Sequence, residues 1–103
     1  MPVRISAGQA KAFFEHPDKD YAIIDVRHAH EYEAGHVPGA LLVDLDDIVR
    51  GAAALPADRS KAYFVYCRSG VRSAKAAAIL EGLGYEDVRD FGGILSWPYE
   101  IER

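Results

Sequence analysis

Cys67 is the single cysteine of the chain, and its position gives it more than packing to do. It closes a short apolar run, Tyr63-Phe64-Val65-Tyr66, and is followed by the polar stretch Arg68-Ser69-Gly70-Val71-Arg72 and then by the alanine-rich segment from Ser73. The run is too short for a helix, so the order reads strand, loop, helix. A thiol there faces the first amides of a helix and the positive end of its dipole, which favour a thiolate. Arg68 and Arg72 add positive charge on either side, and Gly70 lets the loop curl without a Cβ in the way of an approaching anion. The chemistry this predicts is nucleophilic attack by Cys67 on a small electrophile. With no second cysteine there is neither an internal disulfide nor a resolving thiol, so whatever Cys67 takes up is discharged to another molecule.

The flanking residues divide by charge. A cation near a helix N-terminus is mildly unfavourable for the helix, so two arginines there call for compensation. Arg68 is the better donor-binding residue, while Arg72 is expected to pair with a carboxylate such as Asp25 or Glu31. Ser69 offers a hydroxyl to a bound ligand, and Ser73 reads as a helix-start residue. His28 and His30 do not share a helix face, and no further ligand completes a metal set, so they read as solvated. No metal or other cofactor is expected.

These residues need elements to hold them. Ser6-Ala7-Gly8-Gln9 has the form of a capping box, predicting a helix over Ala7 to Phe14. Tyr21 to Val26 reads as a buried strand ending in the charged pair Asp25 and Arg27. His28 to Ala34 suits a short helix closed by Gly35 in the αL conformation, with Arg27 and Glu31 as i,i+4 partners. A turn over Gly35 to Gly39 leads to a strand over Ala40 to Val43 and a helix from Asp44 to Val49. Gly51 to Ser60 is a surface connection. After the Tyr63 to Cys67 strand and the loop come a helix over Ser73 to Leu83 stopped by Gly84, and a strand over Val88 to Phe91 broken by Gly92-Gly93. A terminal helix is expected over Ile94 to Ile101. Such alternation predicts a mainly parallel α/β sheet with helices on both faces, which binds ligands beyond the carboxyl ends of its strands.

The spacing Cys67-x4-Arg72 after a buried strand resembles the active-site loop of the rhodanese (sulfurtransferase) family. Ile24-Asp25-Val26-Arg27, Glu31-Tyr32 and Gly35-His36-Val37-Pro38-Gly39-Ala40 are similar to its upstream signature, and Gly84-Tyr85, Gly92-Gly93 and Trp97 to its C-terminal one. The resemblance implies a sheet of about five strands and a persulfide at Cys67. It also implies a thiosulfate-like donor, cyanide or a thiol as acceptor, and ligand binding by Arg68, Ser69, Gly70, Val71 and Arg72. Asp25, Arg27, Glu31 and His36 then become supporting residues. His36 lies in the turn the family places near its active loop, where a hydrogen bond fixing that turn suits it better than a general base. Trp97 reads as core.

Two other readings stay open. Phosphatases and arsenate reductases share this fold and a Cys-to-Arg loop, but the phosphatase loop is one residue longer than the six from Cys67 to Arg72. A sulfur carrier or regulatory module would present the same loop to a protein donor or acceptor. At 103 residues with half of them hydrophobic, one domain spanning 1–103 is expected. The net charge of −4 argues against nucleic acid as partner. No run suits a membrane span or a cleaved leader, so a cytoplasmic location is expected.

Overall fold

The computed structural model describes residues 2–103. Five parallel strands form one sheet in the order β1-β5-β4-β2-β3: β1 is Val3–Arg4, β2 Tyr21–Asp25, β3 Leu41–Leu42, β4 Ala62–Cys67 and β5 Asp87–Gly93. Four helices connect them: α1 Ala7–Glu15, α2 Ala29–Ala34, α3 Leu45–Arg50 and α4 Val71–Gly82.

β4 is the central strand, and every one of its residues is buried. Its alternation sends Ala62, Phe64 and Tyr66 into one core layer with Ala10 of α1, Ile23, Val37, Phe91 and Trp97. Tyr63, Val65 and Cys67 enter the other, with Leu45 and Ile48 of α3 and Ala76, Ala77 and Leu80 of α4. Cover on both faces is why β4 reads as an unbroken apolar run. Phe13 and Phe14 of α1 pack on Tyr21 and Phe64, mostly edge-on or tilted, and the reciprocal Ser6–Gln9 bonds at 2.8 and 3.0 Å cap that helix as its sequence predicts.

Several boundaries differ from the sequence reading. The two-residue β1 carries no periodicity to announce it. α4 begins at Val71, two residues early, because Gly70 at φ 106° is its N-cap. β5 runs on through Gly92 and Gly93, and a register shift between Val65 and Cys67 brings Cys67 opposite Gly93. Gly35 closes α2 at φ 155°, ψ 136°, which is not αL, and a Cβ there would lie 2.8 Å from Ile101 Cδ1. The expected terminal helix is only a 3₁₀ turn, Ile94–Ser96. Pro98 has no N–H to continue it and holds Trp97 extended. The chain then returns to pair Glu102 with His36. Among the described residues no helix is long and apolar enough to cross a membrane.

Candidate active site

Cys67 is the last residue of β4 and is 1% exposed, its sulfur lying under the loop that follows. Gly70 N–H donates to Sγ at 3.0 Å. Because α4 starts at the next residue, its first-turn amides and dipole follow the cysteine loop directly. The loop is braced from below by the end of β5 and the 3₁₀ turn that follows it. Leu95 N–H donates to Arg68 O at 3.2 Å, and the Gly93 backbone passes so close that a Cβ on it would lie 2.2 Å from Arg68 O.

The two arginines take different roles. Arg72 sends one N–H to each oxygen of Glu31, at 2.7 and 2.9 Å, and Glu31 also accepts from His28 N–H at 3.0 Å. The guanidinium holds the Glu31 carboxyl down at about 2, and that carboxylate raises Arg72 in turn. Of the two carboxylates proposed for Arg72, Glu31 is the partner. Arg68 is exposed, and its side chain has no hydrogen-bond or ion-pair partner among the described residues. Ser69 is exposed as well, and Val71 stands 78% exposed at the rim.

Asp25, Arg27 and His36 serve a different turn. The expected Arg27–Glu31 pair does not form, because α2 starts only at Ala29 and Arg27 lies outside it. Arg27 instead clasps Asp25 through Nε and a terminal nitrogen, the shortest contact 2.7 Å, and donates to Gly35 O at 2.7 Å. Tyr66 donates its hydroxyl to Asp25 at 2.6 Å and accepts from Val37 N–H at 3.0 Å. Burial of Arg27 works against its charge, but the Asp25 carboxylate outweighs this and raises its pKa; burial and then Asp25 push the Tyr66 hydroxyl up. By strand alternation Asp25 and Tyr66 lie on the opposite face from Cys67. His36 stacks on Tyr32 at 3.8 Å, donates from Nδ1 to Tyr32 O at 3.0 Å and exchanges backbone bonds with Glu102. Its bonds fix the turn and none reaches the cysteine loop.

Other contacts escaped the sequence. His28 is not simply solvated: Nδ1 donates to Asp44 at 2.8 Å, which raises the imidazole pKa. Asp46 lies within 4.8 Å of both, but Asp44 is already engaged as the cap of α3. Ser73 and Asp90 are buried beside the loop and bonded to each other. The Asp90 carboxylate accepts from the amide two residues on, as that of Asp25 does, but Asp90 lies within β5 and not at a strand end, so no sequence signal marks it.

Residues 6–99 match the family model described as a rhodanese-like domain. The chain belongs to that family. Thiosulfate sulfurtransferase PspE of Escherichia coli is 35% identical to this rhodanese-like chain over 71 residues, covering 69% of this chain and 68% of that one. A probable adenylyltransferase/sulfurtransferase, MoeZ of Mycobacterium tuberculosis, is 39% identical over 84 residues, 79% of this chain but 21% of MoeZ. The rhodanese-like chain thus spans about a fifth of that longer relative. A tRNA uridine(34) hydroxylase of Erwinia tasmaniensis is 31% identical over 98 residues, 90% of this chain and 27% of the hydroxylase. Among solved structures, a rhodanese-like domain protein from Staphylococcus aureus superposes with a TM-score of 0.81 at 31% identity, over 97% of this chain and 96% of its own.

Proposed function

We propose that this rhodanese-like chain is a sulfurtransferase that carries sulfane sulfur on Cys67. The observation that carries the reading is the geometry of one sulfur: Sγ receives the Gly70 amide at 3.0 Å at the start of α4, beside Arg68, whose side chain has no partner among the described residues. The Cys67 thiolate attacks the outer sulfur of a thiosulfate-like donor. A new S–S bond forms, the donor's own S–S bond breaks, and its electron pair leaves on sulfite. Cyanide carbon or a thiolate then attacks the outer sulfur of the persulfide, takes it away as thiocyanate or a new persulfide, and returns the electron pair to Cys67. Gly70 N–H and the positive end of α4 stabilise the anionic sulfur.

Arg68 binds the donor anion, with Ser69 as a further hydrogen-bond donor, and Arg72 fixes the start of α4 on Glu31. Burial of Cys67 favours small, slender partners over a phosphate ester, as does the six-residue loop, because a phosphoryl group needs donors around three oxygens. Sulfurtransferase relatives support this reaction class, and joining of such a domain to a longer chain in MoeZ keeps a protein donor or acceptor in view. Intact-mass measurement after incubation with thiosulfate tests the reading. One sulfur should be added, be removable by cyanide or dithiothreitol, and be absent in Cys67→Ser. A folded protein that takes up no sulfur overturns it.

A further inference from the structure

Asp90 is 1% exposed, carries a carboxylate, and has no part in the reaction as described. A buried carboxylate is costly unless it is hydrogen-bonded and paired, so where its partners lie matters. Its Oδ1 accepts from Ser73 Oγ–H at 2.8 Å and from Gly92 N–H at 2.9 Å. Its Oδ2 has no hydrogen bond and lies 3.7 Å from Nε of the exposed Arg4, on the neighbouring strand β1. One oxygen thus ties the first turn of α4 to the end of β5.

Gly70 lies between those two ties. A Cβ on Gly70 would be 3.5 Å from Gly92 Cα, so even the smallest side chain there would touch the Gly92 backbone. Ser73 Oγ also lies 3.1 Å from Gly70 O and 3.3 Å from Gly92 O, yet a hydroxyl has one proton to give. The shortest contact is to the carboxylate, and charge strengthens it. Gly70 O is then left to Ala74 N–H at 3.2 Å, the first bond of the helix. Without Asp90 the Ser73 proton turns to Gly70 O or Gly92 O. Gly70 sits at φ 106° with no side chain to restrain it, so such a shift carries its N–H off the sulfur.

We propose that Asp90 is a positioning residue for the cysteine loop: by holding Ser73 and Gly92, which bracket Gly70, it keeps the Gly70 amide on Cys67 Sγ. This rests on the sulfur-carrying role of Cys67. It acts on the anionic sulfur and not on donor recognition, so kcat and KM should separate. Asn loses the charge and replaces the oxygen that has no hydrogen bond, but retains an Oδ1 that accepts from Ser73 and Gly92, so it should rescue most of what Ala loses.

The test is thiosulfate turnover at saturating cyanide, with the rate of Cys67 alkylation by iodoacetamide and thermal melting on the same samples. Asp90→Ala should lower kcat about tenfold to a hundredfold with KM within about twofold, and Asp90→Asn should return to within about threefold of wild type. Ser73→Ala should lower kcat by about threefold or more without moving KM, and decides the matter if Asp90→Ala does not fold. An unchanged kcat in a folded Asp90→Ala or Ser73→Ala protein, a loss confined to KM, or an Asp90→Asn protein as slow as Asp90→Ala overturns the proposal. Should the wild type transfer no sulfur, the reaction assigned above fails separately. Alkylation then decides the positioning role: a rate altered at least about threefold in Asp90→Ala and restored in Asp90→Asn supports it, and equal rates overturn it.

Discussion

The turn over Gly35 to Val37 and the loop over Arg68 to Gly70 are held by opposite means. The turn is held by side chains: Arg27 grips Gly35 O, Tyr66 accepts from Val37 N–H, and both are anchored on a buried Asp25 whose two oxygens are fully engaged. The loop is held by backbone, through the Gly70 amide, the Leu95 amide and the bare Gly93 beneath it. A network that spends every polar group on itself is rigid and has nothing left to react. A loop shaped by its backbone keeps Arg68 and Ser69 free for a ligand. Both arrangements use an aspartate whose carboxylate accepts from the amide two residues on, Asp25 and Asp90, but only the second stands beside the sulfur.

The largest effect should come from breaking the side-chain network. Asp25→Ala leaves Arg27 buried without its counter-charge and Tyr66 without its acceptor, at a cost of about 3–5 kcal/mol in denaturant melts. Tyr66→Phe removes two hydrogen bonds, the one to Asp25 and the one from the buried Val37 N–H, but leaves the ion pair, and should cost about 2–3 kcal/mol. A loss for Asp25→Ala no larger than that of a surface substitution would break the contrast. Next comes Gly93→Ala, where the added methyl meets the Arg68 carbonyl at 2.2 Å. Since backbone is what it strikes, the cost should approach about 3 kcal/mol, and sulfur transfer should fall with it. Full activity in that variant would show that the loop does not rest on β5.

Arg72→Ala should cost about 2 kcal/mol, between the values for exposed and buried pairs. The pH dependence is fixed by Glu31. Its folded-state pKa is lowered from 4.5 to about 2, so the stability it contributes is present above about 4.5 and is lost as pH falls toward about 2. Stability measured across that range should therefore converge for wild type and Arg72→Ala in acid. A gap that persists there would assign the loss to packing.

The sheet was legible because β4 and β2 are runs of β-branched and aromatic residues and α1 announces itself with a capping box. The candidate site was legible around Cys67, because strand, loop and helix meet at the one thiol. What stayed hidden depends on approach in space. Arg72 chose Glu31 over Asp25 across 41 positions, and Asp25 was already claimed by Arg27 and Tyr66. Gly93 looked like a strand-breaker, whereas its missing side chain makes room for the loop above it. A terminal helix was expected over Ile94 to Ile101, but Pro98 limits it to a 3₁₀ turn and the chain then returns to an isolated antiparallel bridge of Glu102 with His36.

The smallest effect on folding should come from Arg68, and it sharpens the contrast most. Arg68 is exposed, its side chain has no partner among the described residues, and it lends only its carbonyl to the fold, through Leu95 N–H. Replacing its side chain leaves that carbonyl in place, so Arg68→Ala should melt within about 0.5 kcal/mol of wild type. Donor binding is where the loss should appear. A guanidinium offers several N–H donors in a plane to an oxyanion, so the KM for thiosulfate should rise about tenfold, the worth of one charge-assisted contact, while kcat at saturation changes little. Arg68→Lys should fall between, because it restores charge without the fork. High salt should raise the wild-type KM and leave that of Arg68→Ala nearly flat, since the attraction being screened is gone. If Arg68→Ala instead lowers stability and Arg72→Ala raises KM, the division between a free arginine and a locked one is reversed.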